Sequence, residues 1–276
     1  MITRRRFLKT LTAAGGMLGL SNSSIAQSPA IDRAALVSRH NPVLRQVDPL
    51  SPLTVGNGEF AFTADITGLQ TLAREYENAM PLCTMSQWGW HTRPAPEGFA
   101  ARGLRLSQYE THGREVGYQT SSEGQTELYQ WLRENPHRLH LGRIGFFRTG
   151  DRKEIQASEL SDVRQELDLW RGIITSRFRL DGQLVIVQTA VHPRLDLLVV
   201  SIRSSLIDDG ALSVRVEFPY GSPSMQAADW KQPERHRTEV LRKRDTRVDI
   251  RRSLDADVYF VSVAWQGSGQ LAVAET

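Results

Sequence analysis

Residues 165–204 read QELDLWRGIITSRFRLDGQLVIVQTAVHPRLDLLVVSIRS. Arg171-Gly172 and Asp181-Gly182 are turn dipeptides, and His192-Pro193-Arg194 makes a longer corner. Asp-Gly between two alternating apolar runs signals a hairpin, because a type I′ turn needs positive φ at both central residues. Side chains alternate along a strand, so Ile174, Phe178 and Leu180 share one face, and Val185 and Val187 share another. Leu197 and Val199 pair in the same way. Leu184, Ile186, Leu198 and Val200 are apolar on the opposite faces, a pattern expected of strands sandwiched on both sides. The stretch therefore predicts four antiparallel strands and a mostly β fold: a large antiparallel β-sandwich with one or two short helices.

Working outward, the flanking segments agree with this fold class. Gly56-Asn57-Gly58 forms a tight turn into a strand with Phe60 and Phe62 on one face, and Thr67-Gly68 turns the chain again. Residues 80–96, MPLCTMSQWGWHTRPAP, have no clear period and read as loop with short extended pieces. A weak strand pair is expected around His112-Gly113. Residues 122–136 form the best helix: Ser122 and Gln125 match a capping box, Leu128, Trp131 and Leu132 form a stripe, and Pro136 stops it. Further strands follow over 139–147, 211–218 and 257–265, with a hairpin over 237–252 turning near Arg244-Asp245.

The N-terminus belongs to targeting. Arg4-Arg5-Arg6-Phe7-Leu8-Lys9 is a twin-arginine pattern, an apolar run follows from Leu11 to Leu20, and Ser24-Ile25-Ala26 offers a cleavage site. The apolar run is far short of the about 20 residues a membrane span needs. The expected organisation is a signal over 1–26, a linker or short helix over 27–40, and a sandwich domain over 41–276. The expected destination is the periplasm or the exterior, with no stable membrane anchor. The whole chain carries a formal charge of +3. Arg4, Arg5, Arg6 and Lys9 stand in the signal without an acid, which leaves −1 for the remainder. The basic balance is thus no argument for nucleic acid. One cysteine, Cys83, excludes an internal disulfide.

The common catalytic and cofactor motifs are absent, and no cofactor or metal site is expected. Gly56 and Gly58 lack a third glycine and precede a strand, so they make no dinucleotide loop. Cys83 with His91 would form a nucleophile and base only if something lowered the thiol pKa. Glu166 and Asp168 lie on one strand face and read as a solvated pair. The basic run Lys231 to Arg252 is interleaved with Glu234, Glu239, Asp245 and Asp249, which suits an exposed, salt-bridged hairpin. The suggestive stretch is Gln87-Trp88-Gly89-Trp90-His91, followed by Arg93. Indole faces stack on sugar C–H groups, while amide, imidazole and guanidinium groups bond hydroxyls. Gln87, Trp88, Trp90, His91 and Arg93 are therefore candidate substrate-binding residues. The alternative is that both tryptophans plug the edge of the sheet.

Four stretches together, SPLTVGNGEFAFTADITGLQTL (51–72), MPLCTMSQWGWHTR (80–93), residues 165–204 and VDIRRSLDADVYFVSVAW (248–265), resemble the N-terminal domain of bacterial six-hairpin glycosidase-like proteins, related to glycoside hydrolase family 65. The resemblance implies a β-super-sandwich that precedes an (α/α)6 toroid. In such proteins the toroid carries the catalytic carboxylates, so none is carried over to a residue of this chain. The implied partners are an oligosaccharide or glycoside and a helical (α/α)6 domain. The chain by itself is expected to be inactive, as the front part of an exported glycoside hydrolase-like protein whose sandwich can end unfinished at Thr276. The competing expectation is a stand-alone carbohydrate-binding or structural β-sandwich.

Overall fold

The computed structural model describes residues 31–96, 98–99, 103–150, 153–267, 269 and 272. The signal expected over 1–26 and the first residues of the linker lie outside this set. Four short α-helices are present among the described residues: α1 (Arg33–Ser38), α2 (Ala73–Tyr76), α3 (Thr126–Glu134) and α4 (Ser205–Asp208). The other regular elements are seventeen strands and two short 3-10 turns, Ala157–Glu159 and Pro233–Arg235, among the described residues. The first eight strands are β1 (Val43–Leu44), β2 (Leu53–Gly56), β3 (Phe60–Ala64), β4 (Thr84–Ser86), β5 (Trp90–His91), β6 (Ser107–Thr111), β7 (Arg114–Tyr118) and β8 (His137–Arg138). Then come β9 (Arg143–Arg148), β10 (Leu160–Asp168), β11 (Ile173–Leu180), β12 (Gln183–Val191), β13 (Leu198–Arg203), β14 (Leu212–Glu217), β15 (His236–Arg244), β16 (Arg247–Leu254) and β17 (Asp257–Ala264).

The meander is the largest sheet, ordered β1-β10-β11-β12-β13 and antiparallel throughout. Its hairpin turn is built by the expected dipeptide: Asp181 and Gly182 have φ of 52° and 74°. At the preceding turn Asp168 accepts hydrogen bonds from the N–H groups of Trp170 and Arg171, both at 3.0 Å. On the inner face Ile174, Phe178, Leu180, Val185 and Val187 are buried.

The opposite face departs from expectation. Leu184, Leu197 and Val199 remain about half exposed. One face of the sheet is covered and the other is open, as antiparallel sheets allow. β13 is also an edge strand, with a neighbour on one side only.

The second layer consists of smaller sheets. Leu53, Val55, Phe60 and Phe62 of β2 and β3 pack with Ile174, Leu139, Tyr220, Leu254 and Tyr259. Phe146 of β9 and Leu212 of β14 pack with Phe178, Val185 and Val187. Ile66, Leu72, Tyr76 and Leu82 form a third cluster, against Leu44, Leu160 and Val163.

A row of polar side chains interrupts this apolar interior. Gln165, Ser176 and Thr189 are fully buried on the inner face of the meander. They hold the turn after β3: Gln165 donates to the Asp65 carbonyl at 2.6 Å, and Thr189 donates to the Gly68 carbonyl at 2.7 Å. Asp65 is itself buried and accepts from the Thr67 and Leu72 N–H groups at 2.7 and 2.5 Å. Buried turn groups need partners, and these side chains supply them.

Two other expectations are corrected. Ser122 does not cap α3; the helix begins at Thr126, and Gln125 turns its amide to Arg105 and Ser121 instead. The hairpin β15–β16 has the expected exposed ion pairs, Arg247 with Asp249 at 2.7 Å and Arg251 with Glu239 at 3.8 Å. Arg252, however, is fully buried, since it shares the inward face of β16 with Val248, Ile250 and Leu254.

Candidate functional site

The loop from β4 to β5 builds a ledge on the surface. Gly89 closes it, donating to the Ser86 carbonyl at 3.0 Å. A Cβ at Gly89 would sit 3.3 Å from that carbonyl, a tight approach, and 3.4 Å from the Leu139 carbonyl. Gln87 is anchored through its N–H to the Glu59 carbonyl at 2.7 Å, which leaves its side chain exposed. β5 then pairs with β8, Trp90 opposite Arg138 and His91 opposite His137. Strand alternation sends Trp90 outward and His91 inward.

Trp88 is 48% exposed and Trp90 45% exposed. Each indole N–H is nonetheless bonded: Trp88 to Asp196 at 2.6 Å, Trp90 to the Gln87 carbonyl at 3.0 Å. Asp196 also accepts from the Ser86 hydroxyl at 2.6 Å on the same oxygen, Oδ2. The Arg138 guanidinium lies over the Trp90 ring, 4.1 Å from its centroid, and donates to the carbonyls of Ser86 and Gln87. Trp88 leans on Tyr259, with centroids 6.0 Å apart. The ledge therefore offers two held indole rings, one cation and one carboxylate.

His91 and Arg93 are turned away from this surface. His91 is 1% exposed, and its Nδ1 stands 2.8 Å from Asp257 while its Nε2 stands 3.2 Å from Asp255. Arg93 forms an ion pair with Glu134 at the end of α3, and its carbonyl accepts from the Trp131 indole at 3.1 Å. Arg138, Asp196 and Tyr259, which complete the ledge, lie 50, 108 and 171 positions beyond Trp88, and the loop's composition carried no sign of them.

The remaining chemical candidates are accounted for by structure. The Cys83 thiol donates to the Gln226 carbonyl at 3.7 Å, and burial pushes it up to about 11, away from thiolate chemistry. Glu166 pairs with Arg164 at 2.5 Å, and Asp168 caps the turn described above. Among the described residues, no group of three or more His, Cys, Asp or Glu side chains is arranged to hold a metal ion. No helix among them is long and apolar enough to cross a membrane. A separate hollow lies between α2 and β9, lined by Arg74, Arg143, Glu154 and Glu217; its interior of about 40 Å³ has room for a few waters. Comparison of the chain with protein-family models and with curated proteins finds no match.

Proposed function

We propose that the Trp88–Trp90 ledge binds a carbohydrate, in an exported protein of the six-hairpin glycosidase-like kind. One observation carries the reading: both indoles are about half exposed while their N–H groups are satisfied within the protein. A ring so held presents apolar surface without an unmet polar group, which suits the C–H face of a pyranose. Asp196 Oδ1 and the outer edge of Arg138 would then address hydroxyls. No residue of the chain is assigned a catalytic role, and no cofactor enters the reading.

The test is tryptophan fluorescence titration with a panel of α- and β-linked gluco-oligosaccharides. The expected result is saturable binding at millimolar affinity, a binding free energy of about −4 kcal/mol. Trp88→Ala and Trp90→Ala together should abolish it with the fold intact by circular dichroism. Wild-type protein that leaves every oligosaccharide unbound at about 10 mM would remove the reading.

A second reading is a packing module for an (α/α)6 domain. It is favoured by the open face of the meander, where Leu184, Leu197 and Val199 are about half exposed. Co-elution with a separately expressed (α/α)6 domain, lost in Val199→Lys, is the expected result. Separate elution of the wild-type chain would exclude it.

A further inference from the structure

We infer that His91 is a positioning residue, a proton-dependent clamp that ties the Trp88–Trp90 ledge to the turn between β16 and β17. The argument starts from hydrogen inventory. A neutral imidazole has one N–H and one lone pair, whereas the protonated ring donates from both nitrogens. His91 presents both nitrogens to carboxylates, Asp257 at 2.8 Å and Asp255 at 3.2 Å. With a single proton, one nitrogen would turn a lone pair toward a carboxylate. With two protons, both contacts are attractive.

The surroundings decide which contact yields. The Asp257 contact is a hydrogen bond, reinforced by the Thr92 N–H at 3.4 Å on the same oxygen. The Asp255 contact is longer, and Nε2 of His91 has no aligned hydrogen bond. Asp255 accepts from the Tyr220 hydroxyl at 2.5 Å, and Arg235 donates to that hydroxyl and stacks on its ring at 4.0 Å. Asp255 is thus held as an acceptor. From β8, His137 meets the His91 ring edge-on at 5.1 Å. Its Nδ1 faces the Glu134 carbonyl at 3.0 Å, and its buried Nε2 has no partner. Arg93 and Glu134, an ion pair, act on the charge of this neighbouring His137. The charged groups facing the ring are therefore Asp255 and Asp257, with Arg235 one residue further out behind Tyr220 and the Arg93–Glu134 pair behind His137.

There is no slack to absorb a reoriented ring. A Cβ on Gly221 would overlap Cδ2 of His91 and come within 3.1 Å of His137 Nε2. When His91 carries one proton, the Asp255 side of the clamp becomes repulsive. The ring and the adjoining Trp90 must then shift against β17, on whose Tyr259 Trp88 leans. The clamp concerns the same ledge as the proposed sugar site, and only its effect on affinity rests on that reading.

The experiment is NMR of histidine- and tryptophan-labelled full chain over a pH series within which circular dichroism shows the fold intact. The expected result is two protonated His91 nitrogens at the acid end, and Trp90 and Trp88 indole signals that move with the His91 transition. In His91→Gln and Asp255→Asn those indole shifts should be lost. A His91 ring with one proton throughout, or indole signals indifferent to its titration, overturns the inference. In parallel, oligosaccharide affinity should be about tenfold weaker at the alkaline end in wild type and level in His91→Gln. Coupled signals without any sugar binding would uphold the clamp and remove the sugar reading. Sugar binding without coupling would do the reverse.

Discussion

The guanidinium of Arg252, which has no exposed surface, stands 2.8 Å from Nδ1 of His236. Arginine has no acceptor, so Nδ1 of His236 accepts and the imidazole is neutral with its proton on Nε2. Arg252 also donates to Thr238 and to the Pro219 carbonyl at 3.3 Å, and lies over the Phe218 ring at 4.8 Å. Burial first, then the Arg252 charge, brings His236 down to about 4. Arg252→Met should lower stability by about 3 kcal/mol in urea unfolding, because buried partners lose their donor. The His236 titration should move upward in the same variant. Arg252→Lys should fail to restore stability, since a point charge cannot replace the planar fork.

His140 is a second neutral imidazole, and this one is buried. Its Nε2 donates to the Leu82 carbonyl at 3.0 Å, and its Nδ1 accepts from the Gly142 N–H at 3.2 Å. Burial lowers it from 6.5 to about 4. Between these values the unfolded chain binds more protons, so stability rises with pH there and is lost as pH falls. The contribution is on the order of 3 kcal/mol. In His140→Gln the acid loss between about pH 6.5 and about pH 4 should be reduced, measured as denaturation midpoint against pH.

Asp65 acts with the opposite sign in an overlapping window. Burial pushes it up from 3.8 to about 6, although the Thr67 and Leu72 donors pull it back. The folded protein then binds the extra proton, and the Asp65 contribution falls as pH rises through that range. The stability difference between wild type and Asp65→Asn should therefore shrink from about pH 4 to about pH 6 and stay level above. A difference independent of pH would show that Asp65 titrates alike in both states.

Gly68 and Gly182 separate backbone strain from crowding. Gly68 has φ +83°, and a Cβ there would stand 2.9 Å from Ser176 Oγ and 3.0 Å from Val187 Cγ1. Gly182 has φ +74° with nothing within 4 Å. Gly182→Ala should destabilise by about 1 kcal/mol, the backbone effect alone. Gly68→Ala should destabilise by about 2–4 kcal/mol, because overpacking is added. Thermal unfolding of both variants checks the difference.

Much of the scaffold was legible because it depends on near neighbours. Asp181-Gly182 forms its turn wherever the pair meets two alternating strands, and Phe60 and Phe62 share a face by alternation alone. Arg252 could also have been located, since it keeps step with Val248, Ile250 and Leu254; its charge masked the pattern. The helix start was misread because Gln125 bonds Arg105, twenty positions away, in place of a local cap. The open outer face of the meander was misread because apolar alternation marks a face that can be buried, not one that is.

The candidate site divides along the same line. The loop itself advertised Trp88 and Trp90, and turn chemistry at Gly89 set them on the surface. Local sequence could not show that His91 faces inward, because β5 takes its direction from pairing with β8, about 47 positions on. Nor could it show Asp196 under one indole, Arg138 over the other, or the aspartates of the β16–β17 turn around His91. The sequence by itself determined the strands, their turns and the aromatic loop, since period and turn preference act over a few residues. Tertiary structure alone decided which groups meet at that loop and which carry protons there, because contact and burial are set by how distant strands pack.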